Sequence, residues 1–123
     1  MRPSHILAVG LAVAAFAQAA AAATPYDGSY VGTASVDGGS TNGSARNHAC
    51  VPFAAPAPLT IANGHAETLW AGGPMQGDVN PQGHLVMHSS LAGRFEGQVD
   101  AGGTLKGVYQ GACIYTLTWQ RRR

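Results

Sequence analysis

Gly77-Asp78-Val79-Asn80-Pro81-Gln82-Gly83-His84-Leu85 and Gly97-Gln98-Val99-Asp100-Ala101-Gly102-Gly103-Thr104-Leu105 are one pattern written twice, at an offset of 20 residues. Each copy carries Val, an Asx residue, two turn residues, Gly, and then a polar residue and Leu. Asx at the first turn position and Gly at the fourth suit a type I turn, and Pro81 at the second fixes the required φ. A type I turn followed by Gly in the left-handed region makes a three-residue hairpin loop with a bulge. That loop sets Asn80 opposite His84 and Val79 opposite Leu85. In the second copy it sets Val99 opposite Leu105, Gly97 opposite Gly107 and Phe95 opposite Tyr109. Beyond the turn-closing Asn80–His84 pair, the facing pairs are apolar or Gly, so turn chemistry and hydrophobic pattern agree on one register.

The same period of two extends outward from the hairpins. Phe95, Gly97 and Val99 alternate with Arg94, Glu96 and Gln98, and Leu105, Gly107 and Tyr109 alternate with Lys106, Val108 and Gln110. Cys113, Tyr115, Leu117 and Trp119 alternate with Ile114, Thr116 and Thr118. Strands send alternate side chains to opposite faces, so these sets point to the core. Asn63-Gly64 joins a short strand at Leu59–Ile61 to one through Ala66–Trp70. An opening strand spans Ser29–Val36. Residues 37–58 read as a long Gly-, Ser-, Asn-, Ala- and Pro-rich connection, with turn signals at Asp37-Gly38-Gly39 and Asn42-Gly43. Asn42-Gly43-Ser44 is also formally a glycosylation sequon. Turns about every ten residues predict an all-β, up-and-down antiparallel meander closing into a barrel or half-barrel, with a two-sheet sandwich as the alternative.

The chain has 123 residues, 46% hydrophobic and 11% charged, with 17 Gly and 2 Cys. This is one small domain, too apolar for a disordered tail and too poor in charge for a coiled coil. Its first segment reads as an export signal: basic Arg2, an apolar run from Ile6 to Ala17, and Ala21-Ala22-Ala23 before Thr24. The division is therefore a signal peptide at 1–23 and a β domain at 24–123, with Ala17-Gln18-Ala19 offering a second cleavage position. Removal of Arg2 takes the seven basic residues to six, equal to the six acidic ones. A balanced chain lacks the basic field of a nucleic-acid binder. Arg121-Arg122-Arg123 is read as a solvated tail, the alternative being a weak tether to an anionic surface. In an oxidising periplasmic or extracellular compartment, Cys50 and Cys113 are expected to form a structural disulfide.

The quoted turns, together with Tyr26-Asp27-Gly28-Ser29-Tyr30-Val31-Gly32, Pro58-Leu59-Thr60-Ile61-Ala62-Asn63-Gly64 and the ending Cys113-Ile114-Tyr115 to Trp119-Gln120, resemble a group of small exported two-cysteine β-rich proteins of alphaproteobacteria. The resemblance spans nearly all of the chain after the leader. It implies an exported β-fold and carries over no activity and no functional residue.

Catalytic signatures are sparse. The sequence has no G-x-S-x-G, P-loop or H-E-x-x-H. Asp27, Asp37 and Asp100 sit in turn signals where Asp caps its own backbone, and Glu96 faces outward from its strand. His84 and His88 lie about 13 Å apart on a strand, too far to share one ion. No metal or cofactor is therefore expected. Tyr109, Tyr115 and Trp119 read as core, whereas Trp70, before Ala71-Gly72-Gly73-Pro74, reads as a strand end beside a flexible loop. Trp70, His48 and His65 are the candidates for ligand contact. The expected function is that of a monomeric, non-catalytic envelope protein that binds a protein or small-molecule partner through loops, without inserting into the membrane. The alternative is an inhibitor of a secreted hydrolase, inserting a loop from residues 37–58 or 71–76.

Overall fold

The computed structural model describes residues 22–40, 50 and 54–123, and these contain strands and turns with no helix. The eight strands are β1 (Gly28–Ser40), β2 (Leu59–Ala62), β3 (His65–Trp70), β4 (Gly73–Val79), β5 (His84–Ser89), β6 (Arg94–Val99), β7 (Thr104–Gln110) and β8 (Cys113–Arg121). They follow one another in chain order around a closed antiparallel barrel, so the barrel and not the sandwich is the fold. The signal segment, His48 and the Asn42-Gly43-Ser44 sequon lie outside the described residues.

The two repeated turns set the predicted register. Val79 faces Leu85, Val99 faces Leu105, Gly97 faces Gly107 and Phe95 faces Tyr109. Both turns are built the same way. Asn80 Oδ1 accepts from the backbone N–H groups of Gln82 and His84, and Asp100 Oδ1 from those of Gly102 and Thr104. Gly83 and Gly103 close them at φ 81° and 82°, a conformation that costs glycine nothing. Ser89-Ser90-Leu91-Ala92 makes a related turn, with the Leu91 N–H on Ser89 Oγ and Ala92 at φ 65°.

The inward side chains fill the lumen: Leu59, Ile61, Met75, Leu85, Met87, Phe95, Leu105, Leu117 and Trp119 are all fully buried. Phe95 meets Trp119 edge-on at 5.4 Å, and its ring lies over the Gly97–Gly107 pair. A methyl group added at Gly107 would come within 2.3 Å of the Glu96 carbonyl oxygen, so two glycines face each other because the ring occupies the space above them.

Closure depends on β1, which bonds to two strands. Gly28–Tyr30 pair with β2, and Tyr30–Ser40 pair with β8. Here the sequence expectation is corrected. Asp37-Gly38-Gly39 is not a turn: the strand continues through it, and register shifts between Gly32 and Ala34 and between Asp37 and Gly39 absorb the extra residues as bulges. The Arg121-Arg122-Arg123 tail reading is corrected as well. Arg121 ends β8, its Nε and Nη2 donate to the Tyr30 hydroxyl at 3.0 and 2.7 Å, and its guanidinium lies 5.3 Å from the Tyr30 ring centre. The Arg122 N–H donates to the Ser29 carbonyl.

Because β2 is short, a seam beside the upper part of β1 has no strand in it. Residues 54–58 cross there as a strap. Pro56 is buried against Gly32, where any Cβ would collide with the Pro56 carbonyl. The Trp119 indole N–H donates to the Ala57 carbonyl at 2.8 Å, and the Thr68 hydroxyl reaches the Ala57 and Pro58 carbonyls at 3.2 and 3.0 Å. Cys50, bonded to Cys113 at the start of β8 with a sequence separation of 63 residues, ties the chain down ahead of the strap.

Two predictions follow from these constraints. Cys50→Ser, or reduction of the native protein, lowers the thermal midpoint by about 10 °C or more, since a loop of this length contributes roughly 2–4 kcal/mol. Gly107→Val overpacks the inner wall and costs about 1–3 kcal/mol, read as a lower urea midpoint at unchanged slope.

Candidate functional site

The barrel has two unlike ends. One carries residues 22–27, the β2–β3, β4–β5 and β6–β7 turns and the C-terminus, and it is polar. The other carries the strap, the disulfide and the β3–β4, β5–β6 and β7–β8 turns. At this strap end the described loop residues are Cys50, 54–58, 71–72, 90–93 and 111–112, and none of them is charged.

Trp70 forms the floor of the strap end. As the last residue of β3 it turns inward and is only 4% exposed. Tyr109 and Tyr115, paired across β7 and β8, meet it edge-on at 5.8 and 5.4 Å. Gly93 leaves room for the Tyr109 hydroxyl, which would lie 1.9 Å from any Cβ at that position. Burial raises the Tyr115 hydroxyl pKa, with the Asp37 carboxylate adding to the effect. Above this floor an open hollow of about 250 Å³ lies between Ala54–Ala57 of the strap and Leu69–Gly72. A second hollow of about 390 Å³ continues from it along the outer wall past Leu69, Pro58 and Pro74.

Leu69 stands on the outer face between the two hollows and is 61% exposed; Leu91 is 58% exposed. Their turns touch. The Ser90 N–H donates to the Pro74 carbonyl at 3.0 Å, and the Leu91 side chain lies against Gly73. Leu69, Ala71 and the strap alanines line one hollow, and Leu91 lies at the neighbouring turn against Gly73. Sequence reasoning missed both leucines. Leu69 sits on the outward phase of β3, and Leu91 at a turn tip, but which neighbours surround them depends on the tertiary fold.

The expected flexible loop after Trp70 is corrected. Ala71 and Gly72, at φ 52° and 85°, form a tight two-residue turn, and β4 begins at Gly73. No projecting loop exists at 71–76, so that insertion site of the inhibitor reading is removed. Trp70 and His65 are not brought together either. They end the same strand on opposite faces, roughly 17 Å apart by strand rise.

His65 belongs to a polar row on the outer wall. Its Nδ1 lies 3.0 Å from Asp78 Oδ1, and its Nε2 lies 3.2 Å from Gln76 Oε1 and 3.4 Å from Glu67 Oε1. The bond to Asp78, with smaller help from Gln76 and Glu67, raises its pKa against the opposing effect of desolvation. The carboxylates flank opposite ring nitrogens and cannot converge on one ion. Among the described residues no three His, Cys, Asp or Glu side chains form a metal-binding group. Farther round the wall, Glu96 accepts from Arg94 at 2.8 Å and faces His84 Nε2 at 3.0 Å. These are exposed pairs that contribute little to stability.

At the polar end Asp27 does more than bond within its own turn. It also caps a hairpin 36 residues away: Oδ2 accepts from the Asn63 N–H at 2.8 Å, and Oδ1 from the Gly64 N–H at 3.0 Å. The Thr24 hydroxyl donates to Oδ1 at 2.6 Å. This hydroxyl is the main reason its pKa falls from 3.8 to about 2; the Gly64 and Asn63 amides assist, and desolvation opposes. Asp37, the other turn candidate, lies within β1.

A depressed carboxylate pKa stabilises the fold above its unfolded value and loses that contribution as pH falls through the folded value. Asp27→Asn is therefore expected to lower stability at neutral pH and to flatten its decline between about pH 4 and pH 2. Urea midpoints across that range check this. His65 has the opposite sign: its contribution is complete at acid pH and fades as pH rises through its raised pKa.

No family model, curated protein or solved structure matches this chain.

Proposed function

We propose that this protein is exported and non-catalytic, and that it binds a protein partner through the strap end of its barrel, where the described loop residues are uncharged. The observation that carries this reading is the pair of exposed leucines, Leu69 at the edge of the Trp70 hollow and Leu91 on the turn that touches β4. Apolar side chains gathered at one end, with no charge in the described loops around them, are characteristic of a docking surface. The barrel interior is occupied by side chains, which argues against a ligand held in the lumen. The hollow at Trp70, about 250 Å³ and open, is lined by the strap alanines, Pro56, Leu69 and Trp70, and suits one anchoring apolar side chain from a partner. Rigidity favours the same role: the turns are hydrogen-bonded and the strap is pinned at Ala57 and Pro58, so little ordering entropy is lost on binding. The Cys50–Cys113 bond fits an oxidising compartment, and the basic, apolar and Ala-rich opening fits an export signal.

The test is affinity capture from the native envelope with the tagged domain and with a Leu69→Asp/Leu91→Asp double variant. Both side chains are exposed, so the variant keeps the wild-type thermal midpoint. Loss of a hydrophobic anchor pair weakens partner retention by about tenfold or more. Equal retention of the same partners by both proteins refutes the reading.

A further inference from the structure

The β2–β3 hairpin turns on Asn63-Gly64, at φ 51° and 80°, the left-handed pair of a type I′ turn. Asn-Gly is also the dipeptide most open to ring closure through its own backbone, because glycine leaves the following nitrogen unshielded. Asn63 is exposed to water. The Gly64 peptide, however, is held on both sides: its N–H donates to Asp27 Oδ1, and its carbonyl accepts from the Val79 N–H at 2.8 Å. The other Asp27 oxygen holds the Asn63 N–H, and Thr24 holds Asp27.

We propose that Asn63-Gly64 is a latent deamidation site, kept unreactive by the Asp27 carboxylate and exposed to reaction when residues Thr24–Asp27 leave the end of the barrel. In the reaction, solvent base removes the Gly64 amide proton and the nitrogen attacks Asn63 Cγ. The bond from Cγ to the side-chain nitrogen breaks, and ammonia leaves. Water then opens the five-membered imide at either carbonyl, giving aspartate or isoaspartate. Asp27 opposes the first step in two ways. The Gly64 N–H must break a charge-assisted hydrogen bond, and a carboxylate beside the nitrogen disfavours its anion. The Gly64 nitrogen must also rotate toward the Asn63 side chain, out of a turn that Val79 clamps from the other side.

The reaction has a consequence for the fold. Either product places a new carboxylate beside Asp27, and isoaspartate also inserts a backbone atom into the turn. The N-terminal clasp cannot re-form around two like charges, so an opening of residues 24–27 that lasts long enough to react becomes permanent. This site is independent of the binding surface at the opposite end.

The experiment is incubation of the folded protein at mildly alkaline pH, with the mass gain at Asn63 followed by peptide mapping. The reference is the free peptide Ile61–Ala66. Wild type is expected to react more slowly than the peptide by about tenfold or more, and Asp27→Ala to approach the peptide rate. Should Asp27→Ala fail to fold, Thr24→Ala, which removes only the hydroxyl on Asp27, must give an intermediate rate. Asp100→Ala removes the matching turn cap of the β6–β7 hairpin and must leave the Asn63 rate unchanged. Wild type reacting at the peptide rate overturns the proposal. So does a folded Asp27→Ala or Thr24→Ala at the wild-type rate, or equal acceleration by Asp100→Ala, which would make the protection a matter of global stability.

Discussion

Tyr30 is the residue at which the sheet becomes a cylinder. It pairs with Leu59 of β2 on one side and with Arg121 of β8 on the other. Its hydroxyl, wholly inside the protein, donates to the Tyr26 carbonyl at 2.6 Å and accepts two N–H bonds from Arg121. Burial pushes its pKa up, and the Arg121 cation partly restrains that rise. An eight-stranded meander that fails to close leaves two unpaired edges, which are routes to aggregation. Joining the first strand to the last removes them, and the joint is made by one aromatic ring with a guanidinium beside it.

Closure at that point explains the rest of the wall. β1 gives only its first residues to β2, so the upper part of the seam is filled by a segment that cannot act as a normal strand. Pro56 and Pro58 have no N–H to donate. The strap is instead held by side chains, Trp119 and Thr68, and by contact with Gly32. The disulfide therefore matters beyond loop entropy, because it fixes the chain just before the strap enters the seam.

The two ends divide the work. The polar end is a network in which Thr24, Asp27, Asn63 and Gly64 bind the start of the domain to a distant hairpin. The described loops of the strap end carry no charge, and Leu69 and Leu91 are exposed there, near a floor of three packed aromatic rings. The binding role proposed above rests on this contrast, since a partner docking on the described loops would bury no unpaired charge there.

Much of the architecture was legible along the chain. Asn80, Gly83, Asp100 and Gly103 specify their turns locally, because an Asx carbonyl and a left-handed glycine need no distant partner, and the period of two then fixes which face is buried. The disulfide was legible for a different reason: two cysteines in a chain with an export-type opening have one pairing available. The tertiary structure decided everything that joins residues far apart in sequence. It carried β1 through Asp37-Gly38-Gly39 by bulging it against β8, gave Asp27 to Asn63-Gly64, placed Arg121 on Tyr30, and set Leu91 beside the turn that follows Leu69. No local pattern encodes those contacts, since each arises only when the cylinder closes and brings strand ends from opposite parts of the chain together.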